Sequence, residues 1–120
     1  MFINYTNHPS VRWSEEQSAA ANEYGIIHDL CFPQVNPELS EEELEILAEE
    51  ELRKIQRLQP KAVLCQGEFT LCYRVIRRLL AEGIPVMAAC SARIVREQTE
   101  EDGTTRKVTE FRFVKFRRYQ

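Results

Sequence analysis

Four short apolar runs, three of them followed by a helix-length segment, constrain this chain more than any other feature. The runs are Phe2 to Tyr5, Ile26 to Phe32, Ala62 to Cys65 and Pro85 to Cys90. The last is apolar at nearly every position rather than at alternate ones, as in strands covered on both faces. Strands that alternate with helices build a parallel sheet with right-handed connections and helices on its two faces. The sequence therefore predicts a β-α-β-α-β-α-β order in one domain over residues 1–120, an α/β fold with a mainly parallel sheet.

The helical segments carry their own punctuation. Ser14 with Gln17, and Ser40 with Glu43, have the spacing of capping boxes, in which each side chain satisfies a free backbone N–H of the other. The first helix passes through Ala19, Ala20 and Ala21 and stops at Gly25, the residue type that best takes a left-handed terminal conformation. Leu44, Leu47, Ala48, Leu52 and Ile55 form a helical stripe with charges opposite, closed by Gln59-Pro60. A third helix is predicted over Phe69 to Glu82, burying Phe69, Cys72, Val75, Ile76 and Leu79 and ending at Gly83. Beyond Cys90 the period changes. Ile94 to Gln98 and Lys107 to Tyr119 flank Glu100-Glu101-Asp102-Gly103, whose Asp-Gly pair predicts a β-hairpin. Phe111 and Phe113 share one parity while Val114 and Phe116 share the other, which predicts either a bulge or burial on both faces.

Composition narrows the function classes. A hydrophobic content of 43% supports a proper core, and no apolar run approaches the roughly 20 residues that span a bilayer. Polar Asn4, Thr6, Asn7 and His8 interrupt the start at once, so no secretory signal is expected and a cytoplasmic location follows. Cys31, Cys65, Cys72 and Cys90 form no C-x-x-C pair, and only two histidines accompany them, so neither structural zinc nor a disulfide framework is expected. The net charge of −3 argues against binding long nucleic acid, where affinity comes from many cationic phosphate contacts. The charge is uneven: Glu38 to Glu51 is acidic, while Arg106, Lys107, Arg112, Lys115, Arg117 and Arg118 crowd the other end. Each run can be a solvated face, a site for a small anion, or half of an acid-to-base contact between like chains.

Ligands of open parallel sheets bind outside the carboxyl ends of the strands, where helix N-termini point. Three segments of this chain are expected there: Asn4 to Ser10, Gln66 to Thr70 and Ser91 to Arg93. Gly67 permits a tight turn or a close backbone approach. Glu68 and Thr70 stand where they can either act on a ligand or cap the third helix. His8 follows a strand, and histidine is the side chain that changes charge near neutral pH, so it can move protons or hold phosphate. His28, inside the second strand, reads as structural. Arg93 offers a planar fork to phosphate oxygens, with Ser91 beside it. Asn4, Thr6 and Asn7 can read a ribose or base, or satisfy the turn. Trp13 can stack on a base or pack as a lid. No G-x-G-x-x-G, G-x-x-x-x-G-K-[ST] or G-x-S-x-G occurs, which removes support for dinucleotide, Walker-type ATP and serine-hydrolase chemistry. A site that needs neither metal nor cofactor remains.

The segments Phe-Ile-Asn-Tyr-Thr-Asn-His-Pro-Ser from Phe2, Gln-Gly-Glu-Phe-Thr from Gln66, Ala-Ala-Cys-Ser-Ala-Arg from Ala88 and the closing Phe-Arg-Phe-Val-Lys-Phe-Arg-Arg-Tyr resemble small CRISPR-associated proteins of type III systems. Those are similar in plan to CARF domains, Rossmann-like modules that sense cyclic oligoadenylate, and to the stand-alone ring nucleases that destroy it. The resemblance implies a homodimer with the ligand across its two-fold axis, touched by loops after the first and fourth strands, here Thr6 to Ser10 and Ser91 to Arg93. The Gln66-to-Thr70 segment has no counterpart in the CARF pattern. A ring nuclease lets a ribose 2′-hydroxyl attack the neighbouring phosphate. His8, Glu68 and Arg93 are then the expected catalytic set, and Thr6, Asn7, Ser10, Gln66, Gly67, Thr70 and Ser91 the expected ligand-binding set. Two rival classes use the same residues differently: a sensor that binds the ring without cleaving it, and a dimeric interaction module with no small ligand.

Overall fold

The computed structural model describes all residues, 1–120, as a mixed five-stranded sheet with three α-helices. The strands are β1 (Phe2–Tyr5), β2 (Ile27–Asp29), β3 (Ala62–Cys65), β4 (Val86–Thr99) and β5 (Thr105–Arg118), and the helices are α1 (Glu15–Asn22), α2 (Glu41–Arg57) and α3 (Phe69–Ala81). The spatial order is β2-β1-β3-β4-β5; the first four are parallel and β5 runs antiparallel to β4. No helix is long and apolar enough to cross a membrane.

All four residues of β1 and of β3 are buried, because the sheet is covered on both sides. Ile3, Tyr5, Val63 and Cys65 point to a core shared with α2 and α3. Phe2, Ala62 and Leu64 point the other way, toward Ala21 of α1, Trp13 and Phe116. Both serines cap their helices, but only the second of the two expected capping boxes closes. Ser14 Oγ accepts from Gln17 N at 3.2 Å, and Ser40 and Glu43 close a full capping box. The acidic residues of α2 are not simply solvated, since Glu45 and Glu49 bind Arg74 and Arg78 of α3.

Three local expectations are corrected. The second strand ends at Asp29 rather than Phe32, although its continuation still bonds to the β1 edge through Leu30 N to the Asn4 carbonyl at 2.9 Å and Phe32 N to the Thr6 carbonyl at 3.3 Å. Phe69 is 88% exposed; it occupies the first position of α3, beyond the last residue of β3, and Leu71 takes the buried place instead. Ser91, Ala92 and Arg93 are not a loop but part of β4, which runs straight into the hairpin. That stretch has no Gly, Pro, Asn or Asp to turn the chain, whereas every one of its residues has a partner on β5. Of the two readings of β5, the bulge holds. Cys90 pairs with Lys115 and Ser91 with Phe113, so Val114 is left over. Phe113 and Phe116 therefore share a face, with ring centroids 5.0 Å apart.

Beyond Met87, β4 pairs only with β5, and the two form a ribbon that leaves the body. The radius of gyration is 17.3 Å, where a compact chain of this length has about 14 Å.

One buried polar contact fixes α2 on the sheet. Tyr5 donates its hydroxyl to Glu51 Oε1 at 2.6 Å, and Glu51, 2% exposed, also meets Lys54 at 2.5 Å. Burial, and next the hydrogen bond to Glu51, push the Tyr5 hydroxyl well above the ordinary tyrosine value. The stabilisation is thus complete below the unfolded-state value near 10 and is lost as pH rises beyond it. Tyr5→Phe removes a hydrogen bond to a charged group and should cost about 1.5–3 kcal/mol. Denaturant titrations should also show a shallower alkaline loss of stability in Tyr5→Phe than in the wild type.

Candidate functional site

Strands β1 and β3 are neighbours, yet the chain leaves them toward opposite faces, β1 to α1 and β3 to α3. Such a switch point leaves a gap at the carboxyl ends of the two strands, where ligands of open α/β sheets bind. The residues that follow these strands are Thr6 to Pro9 and Gln66 to Glu68.

The first loop is held by a side-chain network. Asn4, 1% exposed, donates to the His8 carbonyl at 2.8 Å and to Asp29 Oδ1 at 3.0 Å. Thr6 donates to Asn4 Oδ1 at 2.7 Å and accepts from the His8 N–H at 3.0 Å. Asp29 accepts from Ser10 N at 3.1 Å. Partial burial would raise the Asp29 carboxyl, but hydrogen bonds from Asn4 and Ser10 and the charge of His28 outweigh it and hold it below the usual range. The anchorage is therefore full at neutral pH and is lost only as pH falls through that lowered value. Asn4 serves the turn rather than a ligand. Asp29 is a positioning residue that the sequence did not mark, because its contacts come from 25 and 19 residues away. With its backbone fixed at both N–H and C=O, His8 presents an exposed imidazole.

Gln66 and Gly67 complete the gap. Gln66 Oε1 accepts from Ala89 N at 3.0 Å, prolonging the sheet where β3 stops. Gly67 lies against the ring of Phe32. Glu68, in contrast, is consumed by α3. Its carboxylate accepts from Thr70 N and Leu71 N, both at 2.9 Å, and from the Thr70 hydroxyl. Its slight burial would raise its pKa, and these bonds outweigh that to lower it. Glu68 and Thr70 line a separate hollow with Val35, Asn36 and Leu44.

Two clefts meet at the gap. One of about 330 Å³ is lined by Asn7, His8, Cys65, Gln66, Gly67, Phe69, Cys72, Ala88 and Tyr119. The other, about 230 Å³, lies on the α1 side among Thr6, His8, Trp13, Gln17, Leu64, Gln66, Ala89 and Ser91. His8 and Gln66 belong to both. Arg93 lines neither, but alternation along β4 puts it on the same face as Ser91, one residue pair farther out, about 7 Å away. Ser10 also lies outside both clefts, in a short 3-10 turn over Ser10–Arg12. Trp13 packs on Phe2 and Phe116, with centroids 6.3 and 6.4 Å away, and so walls the second cleft as a lid. Thus the structure brings together Thr6, Asn7, His8, Gln66, Gly67 and Ser91, sets Arg93 at their edge, and separates Glu68, Thr70 and Ser10 from them.

Sequence misses Gln17, which reaches the smaller cleft from the first turn of α1, and the paired thiols of Cys65 and Cys72, which line the larger cleft with their Sγ atoms 3.5 Å apart. A signal for the thiols did exist, since Cys65 ends a strand and Cys72 falls on the buried face of the next helix. The chemistry of the gap is that of a small polar site with one imidazole, carboxamide and hydroxyl donors, and a guanidinium nearby. Searches of the curated proteins and of the solved structures find no match. A family model described as the Uncharacterized protein MJ1673 family matches residues 1–117. That match takes in every residue of the two clefts except Tyr119 and all of the ribbon except Arg118, and the chain belongs to the MJ1673 family.

Proposed function

We propose that this protein binds cyclic oligoadenylate at the β1/β3 gap and cleaves it without a metal, as a Rossmann-like, CARF-like ring nuclease of CRISPR defence acting in the cytoplasm. The observation that carries the reading is the position of His8 and Gln66 between two clefts, with Ser91 and Arg93 on the adjoining face of β4. Ligand clefts commonly measure about 300–1,000 Å³, and these two, at about 330 and 230 Å³, lie at or below the bottom of that range, too small for either to take a whole ring. A ring therefore needs the clefts of two copies, which fits a homodimer with the ligand on its axis.

In the reaction the 2′-oxygen of one ribose bonds to the adjacent phosphorus while the bond from phosphorus to the next 5′-oxygen breaks. His8 takes part in the proton transfer that this exchange requires. Ser91 and Arg93 contact the phosphate, whose negative charge grows during attack. Thr6, Asn7, Gln17 and Gln66 hold ribose and base in the attacking geometry. Glu68 is left out of the chemistry, since its carboxylate is already engaged by two backbone N–H groups and a hydroxyl.

The test is incubation with cyclic tetra- and hexa-adenylate in a chelator, followed by chromatography. Linear products ending in a cyclic phosphate are expected. Rings recovered intact, but with a raised melting temperature of the protein, would replace the enzyme with a sensor. No thermal shift with any ring would remove the ligand altogether.

A further inference from the structure

Two thiols that the proposed reaction leaves unused face each other across the turn between β3 and α3. Cys65 is the last residue of β3 and Cys72 the fourth of α3, and their Sγ atoms lie 3.5 Å apart. Both backbones are already held. Gln66 N donates to the Tyr5 carbonyl at 3.2 Å, Cys72 N donates to the Glu68 carbonyl at 2.8 Å, and Gly67 lies against the Phe32 ring. A disulfide bond is about 2.05 Å long, so small rotations of two side chains suffice to close the gap.

Access is one-sided. Both residues line the larger cleft, Cys65 with no exposed surface and Cys72 with 7%. A reagent that enters the cleft therefore meets Cys72 first, and a space of about 330 Å³ admits only a small one. Cys72 also stands in the first turn of α3, where the helix dipole favours a thiolate. A hydrogen bond from the Cys65 thiol lowers the Cys72 pKa below the ordinary thiol value; burial opposes this, and the Gly67 N–H supports it. That same bond, and then burial, push the Cys65 thiol up. One sulfur is thus fitted to attack and the other to keep its proton until a second step. Cys31 and Cys90 lack this arrangement. Cys31 is exposed, with only Asn7 and a backbone carbonyl near its sulfur, and Cys90 lines neither cleft.

We propose that Cys65 and Cys72 form a peroxide-reactive dithiol site, in which a small hydroperoxide oxidises Cys72 and Cys65 resolves it as a reversible disulfide within the chain. In the first step the Cys72 sulfur bonds to one peroxide oxygen as the O–O bond breaks. The departing oxygen takes the thiol proton and leaves as water or an alcohol. The Cys65 sulfur then attacks the sulfenic acid on Cys72: the S–S bond forms, the S–O bond breaks, and hydroxide leaves with the Cys65 proton as water. The two thiols together lose two electrons, and the one peroxide gains them. The inference does not depend on nucleotide binding, and its test contains none.

Reduced protein is treated with equimolar hydrogen peroxide, denatured in an alkylating reagent and mapped by mass spectrometry. The expected product is a Cys65–Cys72 disulfide, lighter by two hydrogens, with Cys31 and Cys90 alkylated and the bond reversed by dithiothreitol. Cys65→Ala should stop at a sulfenic acid on Cys72, trapped by dimedone, whereas Cys72→Ala should leave Cys65 free to be alkylated. The wild-type map decides alone where an alanine variant does not fold. A wild type with Cys65 and Cys72 both alkylated would overturn the proposal. So would Cys72 driven to the sulfinic acid beside a free Cys65, or a disulfide made through Cys31 or Cys90.

Discussion

Alanine at Gly67 should destabilise the fold by about 1–3 kcal/mol, the range for forcing atoms into a filled core. A Cβ there would stand 2.5 Å from Cδ1 and Cε1 of Phe32, far inside contact distance. The requirement is spatial, since Gly67 is not among the residues of positive φ. The ring cannot retreat: Phe32 is 1% exposed and lies against Tyr5, with centroids 4.9 Å apart. Phe32→Ala should cost more, about 3–5 kcal/mol, by leaving a cavity under the gap. In the double variant the new methyl enters the vacated space, so the loss should fall short of the sum by about 0.5–3 kcal/mol. Urea titrations of both single variants and the double measure this directly. Strict additivity would mean that the glycine is required for some reason other than the ring.

On the proposed ring-nuclease reading, His8→Ala should slow ring cleavage by about 10²–10⁴-fold, the usual contribution of a positioned acid or base. Binding should survive. The loop is held by the His8 N–H and C=O, which alanine also has, so the network of Asn4, Thr6 and Asp29 remains in place. Thermal shift with intact ring and product formation, measured on the same samples, separate the two effects. Unchanged turnover would assign the proton transfer to another group. Lost binding together with lost turnover would make the imidazole a ligand contact first.

Much of the frame was readable from local pattern. The apolar run from Pro85 to Cys90 announced a sheet covered on both sides, and the Ser14 and Ser40 caps fixed the starts of α1 and α2. The parity change after Phe113 announced either a bulge or burial on both faces, and the bulge is what formed. Such features depend on neighbours a few residues apart, which propensity and periodicity record. The site was legible only in part. His8 and Gln66 could be chosen because a chain leaving a parallel strand must pass the carboxyl edge. Glu68 could not be resolved between chemistry and capping, since both readings place the same carboxylate at the same helix start. Ser91 and Arg93 were assigned to a loop because strand length depends on the partner strand.

The sequence by itself determined the α/β class, the order of elements and which polar loops leave the β1 and β3 ends of the sheet, because each follows from contacts within a turn or a strand. Only the tertiary structure decided that Glu68 is spent on its own helix, that Asp29 tethers the His8 loop, and that β4 runs on into a ribbon that leaves the body. Those outcomes rest on pairings between segments remote in the chain, where a hydrogen bond or a contact is won by whichever group folding brings nearest.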